Sequence, residues 1–382
     1  MSGGPGDGWI PRTVVCGTGF GRTYLSALRR PGMPFALAGI LARGSPRSQA
    51  CARHYGVALY TEPDQLPPVD IACVAVNAGP NGGQGAALAQ GLLGRGIHVL
   101  QEHPLLQAEL AGCLRQARRS HTVYHLSTNY VHLDSVTCFI DAARRLLGQQ
   151  PALFIDAVSS FQVLYPLGDI LGRALGGLRP WSLTASPALP GREALRSVNG
   201  VLHGIPTTLR IQNQVDPVRR DNGPHVFHRI SLATEGGNLL LADTQGPVLW
   251  SPRLHMPAGY PDAVTIDAMA AGPLDLPSSI CLTEPRAPSY RQVIGEQWPL
   301  AASRALLELR QAILDGEDPL PRGQHHLTLS RLTADITAQL GLPDIARSGE
   351  PDIMQATELV LEEPAVPGRQ RLAISQPSPL PR

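Results

Sequence analysis

Short apolar runs and amphipathic stretches alternate through the first third of the chain. Residues 12–30 (RTVVCGTGFGRTYLSALRR) read as an apolar strand, a glycine turn and an amphipathic helix. Further strands are expected at residues 35–42 (FALAGILA), 70–76 (DIACVAV) and 98–100 (HVL), with helical patterns at 46–55 and 85–93 between them. Strands that alternate with helices predict a doubly wound parallel sheet with right-handed crossovers, the architecture of a Rossmann domain.

The pattern changes after about residue 126. Residues 128–148 (TNYVHLDSVTCFIDAARRLLG) read as one long helix, and apolar alternation marks strands in 152–163, 207–215, 225–234 and 237–243. Runs of strands with little helix between them predict an α+β C-terminal domain around an open, mainly antiparallel sheet. Pro- and Gly-rich loops are expected at 184–192, 216–224 and 272–288, and a clear amphipathic helix at 302–316. The expected layout is a flexible N-terminus (1–11), a Rossmann-type domain (12–126), an α+β domain (127–355) and a Pro-rich tail (356–382).

Composition narrows the function. At 382 residues and 43% hydrophobic, the chain can bury two cores. Its net charge of +1 provides no field for polyanions, so neither nucleic acid nor a membrane surface is an expected partner. All 32 basic residues are Arg, which removes Schiff-base, Walker and ammonium-acid chemistry. The six cysteines stand apart without metal-ligand spacing and are expected as buried, reduced thiols with no metal. The first residues lack a basic and apolar leader and no run reaches the roughly 18 apolar residues of a membrane span, so a soluble, cytoplasmic protein is expected.

Gly17, Thr18, Gly19, Phe20, Gly21 and Arg22 sit where a strand meets a helix, the context of a dinucleotide fingerprint. Glycine there lets backbone N–H groups approach a pyrophosphate at the helix N-terminus. Arg22 occupies the place of the third glycine, so either the helix packs differently or Gly21 takes that role. About 20 residues on, an NAD enzyme places an acid that binds the ribose 2′-hydroxyl. This chain instead has Arg43, Ser45 and Arg47, which suit a 2′-phosphate and argue for NADPH as cofactor. Asn77 and the Gly79–Gly83 loop follow the strand expected beneath the cofactor.

Residues 93–105 (LGRGIHVLQEHPL) follow the pattern L-x-x-G-x-H-V-x-x-E-K-P, and on it the chain resembles the glucose-fructose oxidoreductase, inositol dehydrogenase and rhizopine-catabolism (Gfo/Idh/MocA) family. Two departures stand out. His103 takes the place of the family's catalytic lysine, and Arg173 stands where a base histidine would follow Asp169 by four residues. Without both groups, alcohol oxidation has no evident proton acceptor. The segments CGTGFGR, GGQGAALAQGLLGRGIHVLQEHPL and LSTNYVH together are similar to one subgroup, the thiazolinyl imine reductases of pyochelin-like and yersiniabactin-like siderophore assembly.

That resemblance implies NADPH-dependent reduction of a thiazoline C=N on a substrate tethered to a nonribosomal peptide synthetase carrier domain. It implies His103 or Tyr130 as the proton donor to nitrogen, with Glu102 near the nicotinamide ribose. Between the two donors, His103 is preferred because an ordinary imidazole is partly protonated near neutrality. The resemblance also implies a homodimer. The alternatives are an NAD(P)-dependent sugar or cyclitol dehydrogenase and a non-catalytic NADP-binding regulator.

Overall fold

The computed structural model describes residues 6, 8–78, 83–187, 194–216, 218, 223–256, 272–284, 287–346, 349 and 354. Most of the Gly79–Gly83 loop, parts of the loops expected at 184–192 and 216–224, and the tail at 356–382 lie outside the described residues.

The first sheet is formed by β1 (Arg12–Cys16), β2 (Ala36–Leu41), β3 (Leu59–Tyr60), β4 (Ile71–Val74), β5 (His98–Glu102) and β6 (Tyr124–Ser127). Their order is β3-β2-β1-β4-β5-β6 and every pairing is parallel. The helices α1 (Gly21–Leu28), α2 (Pro46–Tyr55), α3 (Gly85–Gly94) and α4 (Gln107–Arg119) connect the strands. Because side chains alternate along a strand, β1 supplies Val14 and Cys16 to one core, with Ala89 and Leu93 of α3, and Val15 to another, with Tyr24 and Leu25 of α1.

The remaining elements are α5 (Asp134–Leu147), β7 (Ala152–Ser160), α6 (Leu164–Leu175), β8 (Trp181–Ala185), β9 (Arg196–Leu202), β10 (Ile205–Gln212) and β11 (Gln214–Val215). They continue through β12 (His228–Thr234), β13 (Gly237–Leu241), β14 (Val248–Pro252), β15 (Ile280–Cys281), α7 (Tyr290–Gln292), α8 (Trp298–Asp315), α9 (Pro319–Leu340) and β16 (Asp344–Ile345). Eight of the strands form a second sheet in the order β15-β14-β13-β12-β7-β10-β9-β8. Only β7 and β10 pair in parallel; the other pairs are antiparallel. One face buries Ile155, Leu209, Ile211, Leu232 and Leu239 beneath α5, α6 and α9, while Phe154 and Val201 are exposed. The helix α8 returns to the first domain and packs Ala302, Ala305, Leu306 and Leu309 into the core beside α1.

Several sequence expectations are corrected. The helix expected over 128–148 is broken: Tyr130–His132 forms a single 3₁₀ turn, Leu133 is extended (φ −73°, ψ 140°) and α5 starts at Asp134. The cause is local, since Asn129 has φ +58° and the Tyr130 N–H donates to the Thr128 carbonyl at 2.6 Å, which winds the chain too tightly for an α-helix. The N-terminal segment is partly anchored, because Arg310 of α8 donates two hydrogen bonds, 3.1 and 2.8 Å, to the Trp9 carbonyl. Cys16, Cys73 and Cys113 are buried as expected, but Cys51 and Cys138 are half-buried and Cys281 is exposed; all six are free thiols. The loop expected at 272–288 contains the short strand β15. Among the described residues, no helix is long and apolar enough to cross a membrane.

Candidate active site

The glycine turn after β1 is built for close approach. Gly17 has φ +91°, and a Cβ there would stand 2.7 Å from the Ala75 carbonyl oxygen. A Cβ on Gly19 would meet nothing within 4 Å, which leaves its backbone open on one side. A Cβ on Gly21 would press on Val15 Cγ1 at 3.2 Å, so Gly21 supplies the tight helix-on-strand contact and Arg22 is free of that duty. Arg22 is exposed and its Nε donates to the Gly19 carbonyl at 3.2 Å, whereas Thr18 is buried. Phe20 precedes α1 without a side-chain cap, and the first turn holds no acid, so no side chain opposes the partial positive charge of the helix N-terminus.

At the end of β2, Gly44 turns the chain with φ +74° and Ser45 caps α2, its hydroxyl oxygen accepting from the Ser48 N–H at 3.2 Å. Arg43 is exposed and makes no ion pair among the described residues. With no carboxylate in residues 42–47, this edge suits an anionic group better than a bare ribose. Asn77 is exposed beyond β4, and its carbonyl accepts the Gly85 N–H at 2.9 Å, which sets the start of α3. These residues fit a dinucleotide: the glycine cradle would be filled by any Cβ at Gly17, and no acid opposes a phosphate.

His103 and Tyr130 come together at the ends of neighbouring strands. The His103 N–H donates to the Ser127 carbonyl at 3.1 Å, which locks the end of β5 to the end of β6, and the two rings lie 6.5 Å apart. The second domain closes around them. Tyr165 of α6 stacks on His103 at 5.9 Å with 10° between planes, while His228 of β12 meets the Tyr130 ring edge-on at 5.0 Å and Phe227 lies 6.4 Å from it.

Burial changes the protonation expected for His103. Desolvation outweighs the nearby charge of Asp169 and lowers the imidazole pKa to about 4, so the ring is neutral at pH 7. The expectation that it is partly protonated near neutrality is thereby corrected. Its Nδ1 is buried without a hydrogen-bond partner, and its Nε2 lies 3.7 Å from Glu102 Oε1. Glu102 accepts a 2.6 Å hydrogen bond from the Tyr24 hydroxyl of α1. Burial raises its carboxyl to about 8, against the lowering effect of that bond. One oxygen of Glu102 is therefore engaged with α1.

His228 is a wall rather than an acid. Its Nε2 faces the Val163 carbonyl at 3.1 Å and must donate, so Nδ1 accepts from the Thr244 hydroxyl at 2.9 Å. Beneath the site, Asp169 takes the Thr128 hydroxyl at 2.8 Å, Arg173 Nε at 2.9 Å and His325 Nε2 at 2.8 Å. Burial alone would raise Asp169, but Arg173 and the hydrogen bond from His325 hold it well below the usual carboxylate range. Tyr165, His228 and His325 escaped the sequence reading because nothing local marks their roles: His228 lies in an expected strand with no motif around it, and nothing local ties His325 to a carboxylate 156 positions away.

Residues 11–128 match the oxidoreductase family with an NAD-binding Rossmann fold, Gfo/Idh/MocA, and residues 149–251 match the C-terminal domain of Irp3-like thiazolinyl imine reductases. The fold resembles that of GenD2 from gentamicin A biosynthesis in complex with NAD (14% identity, 89% of this chain and 96% of that chain, TM-score 0.60). It also resembles a UDP-N-acetylglucosamine 3-dehydrogenase from Acidithiobacillus ferrooxidans (13%, 87% and 98%, TM-score 0.61). A third similar structure is an oxidoreductase from Agrobacterium radiobacter in complex with NAD+, L-tartaric acid and magnesium (11%, 87% and 96%, TM-score 0.62). No curated protein sequence matches the chain.

Fold and site together define a two-domain, Rossmann-type oxidoreductase. Its nucleotide-binding domain matches the Gfo/Idh/MocA family model, and its second domain matches the Irp3-like one.

Proposed function

We propose that this protein is a cytoplasmic, NADPH-dependent thiazolinyl imine reductase of siderophore biosynthesis. Its substrate would be a thiazoline thioester on a nonribosomal peptide synthetase carrier domain, reduced to the thiazolidine. One observation carries the reading: His103 replaces the family's lysine and shares an aromatic, water-poor enclosure with Tyr130 and Phe227, which lead into or lie within an Irp3-like domain.

A reduced nicotinamide supplies hydride when bound. Gly17, Thr18, Gly19, Phe20, Gly21 and Arg22 would hold the pyrophosphate side of the cofactor, Arg43 and Ser45 its 2′-phosphate, and Asn77 the edge nearer the nicotinamide. A cyclic imine also needs a proton at nitrogen. His103 presents a buried Nδ1 with no protein partner, and the Tyr130 hydroxyl is the second candidate. The rings of Tyr165 and Phe227 exclude water from the reacting atoms. Self-association through the open face of the second sheet is part of the proposal, and the exposed Phe154 and Val201 support it.

A second reading, an NAD(P)-dependent sugar or cyclitol dehydrogenase, draws on Asp169 and His325, whose 2.8 Å contact rebuilds a carboxylate–imidazole pair despite Arg173. Loss of cofactor absorbance with NADPH and a thiazoline ester or thioester mimic tests the proposal. Turnover of NADP with inositol or glucose, and none with the thiazoline, would overturn it.

A further inference from the structure

We infer that Glu102 is a positioning residue that stores a proton behind His103 and refills the imidazole as its opposite nitrogen protonates the substrate. This inference rests on the imine-reductase reading.

Three observations carry it. The two ring nitrogens of His103 have different surroundings: Nδ1 is buried and unpartnered, while Nε2 faces Glu102 Oε1 at 3.7 Å. The other carboxyl oxygen of Glu102 is held by the Tyr24 hydroxyl at 2.6 Å, so the carboxyl is pinned from α1 and presents its free oxygen to the imidazole. Both side chains are largely shielded, 10% exposed for His103 and 13% for Glu102. Catalytic hydrogen bonds are often long before ligands close a site, and 3.7 Å is within reach of such closure.

The titratable groups around this pair are few. Tyr24 faces Glu102 from α1, with Cys73 of β4 acting on Tyr24, and His103 faces it from the end of β5. Asp169 of α6 acts on His103, the phenol rings of Tyr165 of α6 and Tyr130 lie 5.9 and 6.5 Å from its ring, and His228 of β12 lies close enough for His103 to disfavour its charge. No cation is paired with Glu102 among the described residues, so the buried carboxyl favours its protonated form near neutrality, while burial keeps His103 neutral.

The balance closes without a charged imidazole. As the imine carbon accepts hydride, the nitrogen takes the Nδ1 proton of His103. The Nε2 lone pair takes the carboxyl proton of Glu102, which converts the imidazole to its other neutral tautomer. Negative charge comes to rest on Glu102, where the Tyr24 hydroxyl already donates, and water returns the proton between turnovers.

Two measurements test the inference. In the cofactor-free protein, the infrared difference between wild type and E102Q should contain a protonated carboxylic acid band at pH 7 that disappears as pH rises through about 8. In Y24F the lowering hydrogen bond is gone, and the band should persist to higher pH. In single-turnover reduction of a thiazoline mimic, the wild-type rate should fall over the same alkaline range. E102Q should be slower by about 10²-fold at pH 7 and should lack that alkaline limb, with NADPH affinity retained. Turnover in a protein without the carboxylic acid band, or an unchanged alkaline limb in E102Q, overturns the proton store alone. Absence of turnover with every thiazoline, band or no band, overturns the functional reading and the relay with it.

Discussion

The imidazole Nε2 of His325 lies 2.8 Å from Oδ1 of Asp169 and joins α9 to α6 across 156 positions of sequence. The same carboxylate receives Arg173 four residues along its own helix and the Thr128 hydroxyl from the end of β6. A buried anion with three donors therefore sits under the floor of the site, and it links three elements that the sequence separates widely.

Asp169→Asn should destabilise the fold by about 3–5 kcal/mol, because it leaves Arg173 without its buried counter-charge and removes an acceptor of the hydrogen bonds from Thr128 and His325. Urea unfolding at pH 7 measures it. The folded carboxyl titrates below its unfolded value near 4, so its contribution is present above about pH 4 and is lost as pH falls toward the folded value. The gap between wild type and variant should shrink accordingly in acid. His325→Ala should leave thiazoline reduction in place, since the proposed reaction does not use that imidazole; a loss of turnover there would favour the dehydrogenase reading.

Gly17 and Gly19 should separate folding from binding. Gly17→Ala forces a Cβ to within 2.7 Å of the Ala75 carbonyl at φ +91°, a strain of about 1–3 kcal/mol that should lower the melting temperature and weaken the cofactor. Gly19→Ala meets nothing in the protein and should melt normally while binding NADPH less tightly. Thermal shift with and without NADPH distinguishes the two.

Arg43→Ala should erode discrimination between NADPH and NADH. A hydrogen bond to a charged group contributes about 1.5–3 kcal/mol, so NADPH affinity should fall by about 10- to 150-fold and NADH affinity hardly at all. Fluorescence titration reads both constants. Tighter binding of NADH by the unaltered protein would refute the cofactor assignment.

His103→Ala and Tyr130→Phe compare the two candidate donors directly. The true donor should lose about 10²-fold or more in single-turnover rate, with little change in NADPH affinity. Unchanged rates in both variants would remove both residues from the proton step.

Four buried histidines should make the protein sensitive to mild acid. Desolvation lowers His103 and His228 to about 4 and His125 and His326 to about 3. Their neutral forms are favoured in the fold, so the unfolded chain binds more protons once pH drops below about 6.5, and stability falls from there toward pH 4. Urea midpoints across that range should decline with a slope that H125Q reduces.

Much of the first domain was legible in the sequence because parallel strands buried on both faces are continuous apolar runs, and the glycine turn has a local conformational requirement. The expected helix over 46–55 coincides with α2 (Pro46–Tyr55), and the strand expected at 35–42 becomes β2 (Ala36–Leu41). The helices α6 and α9 were not legible. Gly168 and Gly172 interrupt the pattern of α6 where Leu329 and His325 of α9 pack against it, and α9 spreads its His, Thr and Arg residues around the helix. Local patterning named His103 and Tyr130 as candidates and the glycine turn as a cofactor cradle. Only the tertiary structure decided their company: Tyr24 on Glu102, Tyr165 on His103, and His325 on Asp169. It also decided the protonation of His103, because an imidazole's charge depends on the water removed from around it, and no stretch of sequence carries that quantity.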